Sequence, residues 1–464
     1  MLRKFVFNGA RHHGGKLGLL FLLLGIAMLC LLPILQSRVA KVDENAVGHM
    51  YPQFTFGPID QYLDPAVSQP QRLVRGRRSP GSEIVAVYVN TDYAAATAIA
   101  NALIEVLRTK DNLACDVQFY FVNSTEEWPI PHSYTRAAIV LNMSSMYSKY
   151  LCYDTLGSNG IQPNQDFPNA AVQHASHRSF IPSYLCQKPG GPPSKLQHPF
   201  WHYWSYLEAS MQLASHPQRW HQIPTHSINT LTISTNPYYG ESTARPNSDV
   251  PHNLVDLVLL IIISLNGLEE KFHHSTFVWL PVSLRRYVEY DAAQFCIVLF
   301  VASIFSTAYA EYQLRGITIT PLFVGLLLTS AGASAAFHAA QWPGVAVASL
   351  LFAGVLRVVM PHTTSGMWLS FNAIALCLLI ILQPECGLVA GCAAAIQVSF
   401  IHPALRNRFA MAMGTAVAWV LCYYFVCHLH MPLLGLASIS ELFVSFVVYP
   451  NAVWITSRFL CTVL

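Results

Sequence analysis

Four side chains of the types that bind zinc in hydrolases lie next to predicted β-strands. Asp92 and the pair Glu126-Glu127 follow two predicted strands, and His221 precedes a third strand. Open α/β sheets build their sites outside the carboxyl ends of the strands, and carboxylates with an imidazole and a glutamate base are the groups of a catalytic zinc centre. Acidic residues after strands also form turns and helix caps, so we expect these groups to be structural or vestigial. The four residues are Asp92, Glu126, Glu127 and His221.

The rest of the sequence offers no complete catalytic motif. It contains no Walker loop, no dinucleotide-binding glycine pattern, no serine-hydrolase elbow and no paired-histidine metalloprotease motif. The net charge is +3 without a long basic run, which argues against a nucleic-acid partner. The sequence therefore predicts neither a catalytic residue nor a cofactor.

The zinc-type residues are predicted to lie in an α/β domain. A β-branched run is typical of a strand buried on both faces, and an Ala- and Leu-rich helix follows it. The order strand, helix, strand, strand favours a sheet that is at least partly parallel. The strands are predicted at 83–89, 117–122, 137–141 and 230–235, and the helix at 93–109.

The remainder of this domain is less regular. Residues 155–200 are crowded with Pro, Gly, Ser and Asn and are predicted to be loops. Helices are predicted at 200–213 and 252–274. The second helix contains too many polar residues for a confident membrane span, so we expect it to pack on the domain and to lead through residues 279–281 onto the membrane surface.

Composition places the C-terminal part of the chain in a membrane. The chain is 53% hydrophobic and 11% charged, whereas about 25% charged residues are usual in soluble domains. Residues 17–35 form an apolar run long enough to cross a bilayer, and we interpret it as a signal anchor because no small-residue cleavage site follows. Seven further spans are predicted near 292–310, 317–336, 344–359, 367–383, 387–402, 409–427 and 435–457.

The arginines of residues 291–464 predict the orientation. All five fall on one side of the membrane if the long middle segment is extracytoplasmic, and the positive-inside rule makes that side cytosolic. The arginines are Arg315, Arg357, Arg406, Arg408 and Arg458. Both termini are then cytosolic. Charged groups are too few, and no internal repeat is apparent, for a transporter. The expected divisions are a cytosolic N-terminus (1–16), the anchor (17–36), a lumenal α/β domain (37–274), an interfacial connector (275–290) and a seven-helix membrane domain (291–464).

Cysteines and sequons agree with an outward middle segment. That segment contains Cys115, Cys152 and Cys186, which allow one disulfide and one remaining thiol, and the sequence does not decide the pairing. Of its two sequons, Asn123 lies in a predicted loop and is expected to be glycosylated. Asn142 ends an apolar strand and is expected not to be.

Short motifs in a fixed order resemble a known family. They are Asp43-Glu44-Asn45-Ala46 beyond the anchor, Asn266-Gly267-Leu268-Glu269, His273-His274-Ser275, Trp279-Leu280-Pro281, and Tyr449-Pro450 in the last span. With an N-terminal anchor, an α/β domain and seven further spans, this order resembles the GPI-anchor attachment protein 1 family. That family is the Gaa-type subunit of the glycosylphosphatidylinositol (GPI) transamidase.

The resemblance implies a fold and a role. The fold would be a lumenal α/β domain like a degenerate M28 zinc aminopeptidase, joined to about eight transmembrane helices in the endoplasmic reticulum. The role would be a subunit that is not catalytic by itself and that recognises the GPI lipid. Its implied partners are a caspase-like cysteine-protease subunit, other membrane subunits of the transamidase and precursor proteins with a C-terminal GPI signal.

The resemblance also implies site residues. The resemblance assigns GPI contact to Asp43, Glu44 and Asn45 and, in the last span, to Glu441 and Tyr449. In the region where an M28 enzyme has its His-x-Asp ligands, residues 90–96 offer only Asp92. We therefore expect no two-metal site of the usual kind. The alternative function is an active membrane-bound M28-type zinc aminopeptidase.

Overall fold

The computed structural model of the protein describes residues 2–35, 38–39, 71–77, 83–110, 113–132, 134–157, 162–186, 199–215, 218–236, 249–267, 279–315, 365–382, 384–401, 408–425 and 447–463. The helices are α1 (Leu2–Leu35), α2 (Ala94–Arg108), α3 (Asp166–His177), α4 (Pro199–Ser215), α5 (Val250–Gly267), α6 (Tyr290–Arg315), α7 (Ser365–Leu382), α8 (Pro384–Ile401), α9 (Arg408–Tyr423) and α10 (Tyr449–Val463). The strands are β1 (Arg38–Val39), β2 (Gln71–Val74), β3 (Ile84–Asn90), β4 (Asp116–Val122), β5 (Thr135–Asn142), β6 (Tyr150–Asp154), β7 (Ile181–Tyr184), β8 (Asn229–Thr235), β9 (Trp279–Ser283) and β10 (Arg286–Glu289).

The chain forms two compact units. The helical unit comprises Met1–Gln36, Ser210–His216 and Asp291–Leu464, and the α/β unit comprises Ser37–Ala209 and Pro217–Tyr290.

A seven-stranded mixed sheet forms the centre of the α/β unit. Its strand order is β2-β4-β3-β5-β8-β6-β7. The four central strands β4, β3, β5 and β8 are mutually parallel, β2 and β6 run antiparallel to them, and β7 is parallel to β6. The parallel strands are the four predicted from the sequence, and the α/β prediction is confirmed.

Helices α2 and α5 cover the sheet with almost wholly apolar surfaces. Alanines supply much of α2 and favour helix, and nearly all its residues are buried. Helix α5 packs against α2 and α3 and is largely buried. It therefore packs on the domain, as predicted from its polar residues.

The end of α5 is fixed to the sheet by one amide side chain. Asn266 Oδ1 accepts hydrogen bonds from the backbone N–H groups of Ala114 (2.5 Å) and Cys115 (3.3 Å), and its Nδ2 donates to the Cys115 carbonyl (3.1 Å). Arg136, which pairs with Glu83, donates to the carbonyl of Leu265 (2.8 Å). These contacts give a structural reason for the first residue of the Asn266-Gly267-Leu268-Glu269 motif.

The prediction of loops throughout 155–200 is wrong. Helix α3 and strand β7 lie within that range. The buried residues of α3, among them Phe167, Ala171 and Ala175, are small or lie on one face of the helix. Polar residues between them interrupt the apolar pattern, so the helical periodicity is hard to see in the sequence. A disulfide between Cys152 and Cys186 links β6 to the residues that follow β7, whereas Cys115 is buried and is not in a disulfide. The structure thus decides the pairing that the sequence left open.

The two ends of the α/β unit meet in a small sheet of order β1-β10-β9. Strand β1, which follows α1, pairs antiparallel with β10. The β9–β10 hairpin lies in the stretch predicted as an interfacial connector. Its Trp279 is buried, donates from Nε1 to the Pro163 carbonyl (3.2 Å) and meets the Tyr184 ring edge-on at 5.7 Å.

The helical unit contains the described candidates for membrane spans. Within the described residues, Gly14–Leu35 and Asp291–Gln313 are long and apolar enough to cross a membrane, and shorter apolar helices occur at Trp368–Leu379, Cys386–Phe400 and Arg408–Tyr423. The predicted spans at 317–336 and 344–359 and the first part of 435–457 lie outside the described residues. The total of eight spans stays a prediction.

Candidate functional site

Three polar side chains form a row at the carboxyl ends of adjacent parallel strands. Asn90 Nδ2 donates to Asn142 Oδ1 (2.9 Å), and Asn142 Nδ2 donates to Ser234 Oγ (3.2 Å). These residues end or nearly end β3, β5 and β8, which are neighbours in the sheet. We call them the asparagine ladder. Neutral side chains that hydrogen-bond to one another therefore occupy the sheet edge where α/β proteins usually have their binding or active site.

Asp92 is tied to the loop that follows β4. Its Oδ2 accepts a hydrogen bond from the Ser124 backbone N–H (3.0 Å), and its own N–H donates to Asn90 Oδ1 (3.1 Å). Asn123 Oδ1 accepts from Thr125 N, Thr125 Oγ1 and Glu126 N, which forms an Asx turn. Asp92 therefore lies beside the Glu126 loop, and its carboxylate stabilises the turn at Ser124.

Glu126 and Glu127 are both exposed in this loop. The next residue, Trp128, returns towards the sheet, where its ring stacks on Tyr88 at 5.6 Å and its Nε1 donates to the Asn123 carbonyl (2.9 Å). The two glutamates are thus held at the surface by a loop that is anchored on either side of them.

His221 lies away from the asparagine ladder. It is buried in a 3-10 helix (Arg219–His226), and its Nε2 lies 2.6 Å from Asp154 Oδ2. Asp154 pairs with Thr232 of β8. Thr232 lies three residues, or about 10 Å, before the carboxyl end of that strand. His221 Nδ1 accepts from the Gln218 backbone N–H (2.8 Å). Since Nδ1 is the acceptor, Nε2 is the ring atom that donates its proton to Asp154.

Asp154 is the charged member of this pair. Burial by itself would raise the pKa of Asp154, but His221 and the hydrogen bonds from His221, Leu156 and Trp220 lower the pKa below its ordinary value. Trp220 Nε1 donates to Oδ2 (3.2 Å) and the Leu156 N–H donates to Oδ1 (3.0 Å). The pair joins the 3-10 helix to β6, which is a structural role.

The described residues do not fit the zinc centre that the M28 resemblance suggests. Among them, no group of three His, Cys, Asp or Glu side chains could hold a metal ion. Asp92 binds a backbone N–H, and both ring nitrogens of His221 are engaged. The described part of the chain therefore provides no three-residue ligand set for a zinc ion.

A second polar cluster surrounds the start of α10 in the helical unit. The buried Trp368 donates from Nε1 to Asn451 Oδ1 (2.7 Å), and Asn451 Nδ2 donates to Asn372 Oδ1 (2.8 Å). Gln397 of α8 donates to the carbonyls of Val448 (3.1 Å) and Ala418 (3.4 Å). We call Asn372, Gln397 and Asn451 the amide clamp. Helices α7, α8 and α9 are thereby linked to the first turn of α10.

Tyr449 lies inside this cluster. Its side chain is 2% exposed and meets the Trp419 ring edge-on at 6.0 Å. Pro450 follows, and the backbone at 447–448 has a wider π-type turn, as expected where proline interrupts helical hydrogen bonding. In the described part of the chain, neighbouring helices therefore pack around Tyr449.

Sequence reasoning missed the amide clamp. Asparagine and glutamine within apolar spans are costly unless they bond to one another, so Asn372, Gln397 and Asn451 carried a usable signal. Asp43, Glu44, Asn45 and Glu441, expected to contact GPI, lie outside the described residues.

Comparison with known proteins identifies one family. A family model described as Gaa1-like, GPI transamidase component, matches residues 134–457. A search of curated proteins gave no match.

Proposed function

The chain belongs to the Gaa1-like family of GPI transamidase components, and from this premise we propose that it recognises the GPI lipid and presents its ethanolamine amine to the acyl intermediate of the transamidase. Family membership makes it a component of GPI-anchor attachment in a multi-subunit complex and implies the endoplasmic reticulum membrane. In the proposal, the acyl intermediate forms on a caspase-like subunit, and the α/β unit faces the lumen.

The proposed contribution is proximity. The ethanolamine ammonium first releases one proton. The neutral amine then attacks the acyl carbon of the precursor, the C–S bond of the thioester breaks so that the thiolate of the protease subunit leaves, and the nitrogen releases a second proton as the amide forms. Holding a lipid-linked amine near the thioester replaces an encounter between two molecules by a step within one complex, which accelerates the reaction without a covalent role for this chain.

The asparagine ladder is the observation that best supports a non-catalytic role. It closes the carboxyl edge of the sheet with neutral amides that bond to one another. A hydrolase of this architecture would need charged ligands or a base there. The α/β unit is thus better suited to bind partners than to cleave peptides.

The proposed GPI contacts are polar residues, and Tyr449 acts indirectly. Asp43 and Glu44 would attract the ethanolamine ammonium, with Asn45 beside them and Glu441 at the start of the last span. Tyr449 is buried, so in this proposal it acts by fixing the pose of α10 through Trp419 rather than by touching the headgroup.

Substitution of the anchor exit tests the lipid contacts. We expect the combined change Asp43→Ala, Glu44→Ala and Asn45→Ala to abolish attachment of GPI to a reporter precursor while complex assembly, measured by co-purification, is retained. The matched control is Glu126→Ala with Glu127→Ala, which removes two exposed carboxylates and should leave attachment unchanged. Attachment that survives in the triple variant would refute the assignment.

Purification in mild detergent tests the assembly. A caspase-like protease should co-purify with the tagged chain, and its absence would contradict the proposed partner. Metal analysis of the same sample addresses the aminopeptidase alternative: stoichiometric zinc that is lost with activity in Glu127→Ala would overturn the non-catalytic role.

A further inference from the structure

Two consecutive residues after β7 adopt a backbone conformation that their side chains disfavour. Leu185 has a φ of 51° and Cys186 has a φ of 50°. Positive φ at two successive residues is typical of a type I′ turn, in which Gly, Asn and Asp are the usual residues. Leucine and cysteine carry a Cβ that crowds the backbone in this region. The turn at Leu185-Cys186 is therefore strained.

Three contacts hold the strained turn in place. A disulfide joins Cys186 to Cys152 of β6. The Leu185 backbone N–H donates to the Tyr153 carbonyl (2.9 Å), and the Leu185 side chain is buried. We call the disulfide together with Leu185 and Cys186 the disulfide latch. The disulfide is the covalent contact of the three, so its reduction removes the strongest restraint on the two torsions.

The residue before the latch contacts the β9–β10 hairpin. The Tyr184 ring meets the Trp279 ring edge-on at 5.7 Å, and Trp279 Nε1 donates to the Pro163 carbonyl (3.2 Å). Both rings are buried. Tyr184 directly precedes Leu185, so a change of the Leu185 torsions alters the direction of the chain next to this ring contact. The conformation of the latch and the packing of β9 are thereby linked.

The two cysteines of the latch differ in their access to an external thiol. Cys186 is half-buried, whereas Cys152 is 1% exposed. Thiol–disulfide exchange requires a thiolate to reach one sulfur of the disulfide. The Cys186 sulfur is therefore the one that an external thiolate attacks.

We propose that the disulfide latch is a redox-sensitive switch that sets the packing of the β9–β10 hairpin. Its reductant is a dithiol protein of the thiol–disulfide oxidoreductase class. Relief of the strain in the turn favours reduction, and the reduced turn leaves the left-handed region and loosens the contact between Tyr184 and Trp279. This inference does not depend on GPI recognition.

The exchange proceeds in two steps. One thiol of the dithiol loses its proton and attacks the Cys186 sulfur, the S–S bond breaks, and Cys152 leaves as a thiolate that takes up a proton. The second thiol then loses its proton and attacks the sulfur of the dithiol that is bound to Cys186. Cys186 leaves and takes up a proton, so the latch gains two electrons and the dithiol becomes a disulfide.

Hydrogen exchange tests the link to the hairpin. The full-length chain, purified in mild detergent with any subunits that co-purify, is compared with and without dithiothreitol. Peptides that cover residues 181–186 and 279–289 should exchange about 10-fold faster after reduction, because local opening becomes more frequent. A peptide from β3 (residues 84–90) should be unchanged, which shows that the sheet remains folded.

A redox titration tests the strain. The same preparation is equilibrated with mixtures of reduced and oxidised dithiothreitol, and differential alkylation with mass spectrometry gives the reduced fraction of Cys186. Leu185→Gly and Leu185→Ala lose the same packing, but only glycine adopts positive φ freely. The midpoint for Leu185→Gly should need about a 5-fold higher ratio of reduced to oxidised dithiothreitol than that for Leu185→Ala.

Three results would overturn the proposal. Equal midpoints in the two variants would show that the turn stores no strain that reduction releases. Unchanged exchange in residues 279–289 after reduction would show that the latch does not act on the hairpin. Faster exchange in β3 as well would make the disulfide a support of the whole sheet and not a switch.

Discussion

Asn266 illustrates how one side chain can fix two elements. Its three hydrogen bonds to Ala114 and Cys115 join the end of α5 to the residue before β4. Asn266→Ala leaves these buried backbone groups unpaired, so we expect a loss of about 2–4 kcal/mol in the stability of this contact. The readout is the buried thiol of Cys115, whose alkylation by a maleimide should accelerate by about 30-fold or more, because local opening becomes more frequent.

Asn253→Ala is the matched control for this change. Asn253 lies on the same helix and is half-buried, and its change should leave the Cys115 reaction rate close to that of the parent chain. Equal rates in the two variants would mean that the Asn266 contacts do not hold the helix end.

His174 gives the α/β unit a dependence on pH. Its Nε2 lies 2.9 Å from Ser264 Oγ, and burial, with smaller effects from His177 and Arg178, lowers its pKa to about 4. The unfolded pKa is about 6.5, so between these values the unfolded chain binds a proton that the folded chain does not. The stabilising contribution is complete above about pH 6.5 and is lost as the pH falls towards about 4, by up to about 3 kcal/mol.

The change His174→Gln should therefore flatten the decline of stability across that pH range. Pulse proteolysis of the full-length chain at about pH 7 and about pH 5 measures the effect. His226→Gln, an exposed histidine in the same unit, should retain the parent slope. A parent chain equally stable at both pH values would contradict the buried neutral state of His174.

At the scale of elements, α1 and α6 pack closely through small residues. A Cβ added at Gly18 would lie 2.5 Å from Thr307 Oγ1 and 3.0 Å from the Ser303 carbonyl. Ser303 Oγ also donates to the Gly18 carbonyl (2.7 Å). Such close contacts between small residues and interhelical hydrogen bonds are the usual means of helix association in lipid.

We expect Gly18→Val to separate these helices and to cost about 1–3 kcal/mol. The measurement is the thermal midpoint at which the buried Cys296 of α6 reacts with a thiol-reactive fluorophore. Leu23→Phe is the control because it adds volume at a position that is 56% exposed. A midpoint for Gly18→Val equal to that of Leu23→Phe would show that the close approach is not limiting.

At the scale of the whole molecule, the predicted lumenal orientation can be tested through Asn123. Asn123 is half-buried, its Oδ1 accepts hydrogen bonds within the turn, and the four residues that follow it are exposed. Both ends of the Asn142 amide are instead engaged in the asparagine ladder. We therefore expect glycosylation at Asn123 alone.

Endoglycosidase treatment of the chain from a eukaryotic host should increase its gel mobility. The shift should disappear in Asn123→Gln and persist in Asn142→Gln. A shift that survives in Asn123→Gln would refute the choice of sequon, and a parent chain without any shift would contradict the predicted orientation of this loop.

The sequence by itself determined the fold class and the family resemblance. The strands at 83–89, 117–122, 137–141 and 230–235 were predicted because burial on both faces leaves a continuous β-branched pattern in adjacent residues. The anchor and the first C-terminal span were likewise visible as long apolar runs. These properties are local, so the order of residues along the chain is sufficient to reveal them.

Only the tertiary structure decided which distant residues meet. The placement of β6 between β8 and β7 pairs Cys152 with Cys186 and brings Asp154 to His221, so His221 bonds to a buried carboxylate and lies away from the edge near Asp92. The asparagine ladder and the amide clamp likewise join residues separated by 21 to 92 positions. Sheet order and helix packing set these contacts, and neither is encoded in the spacing of any one segment.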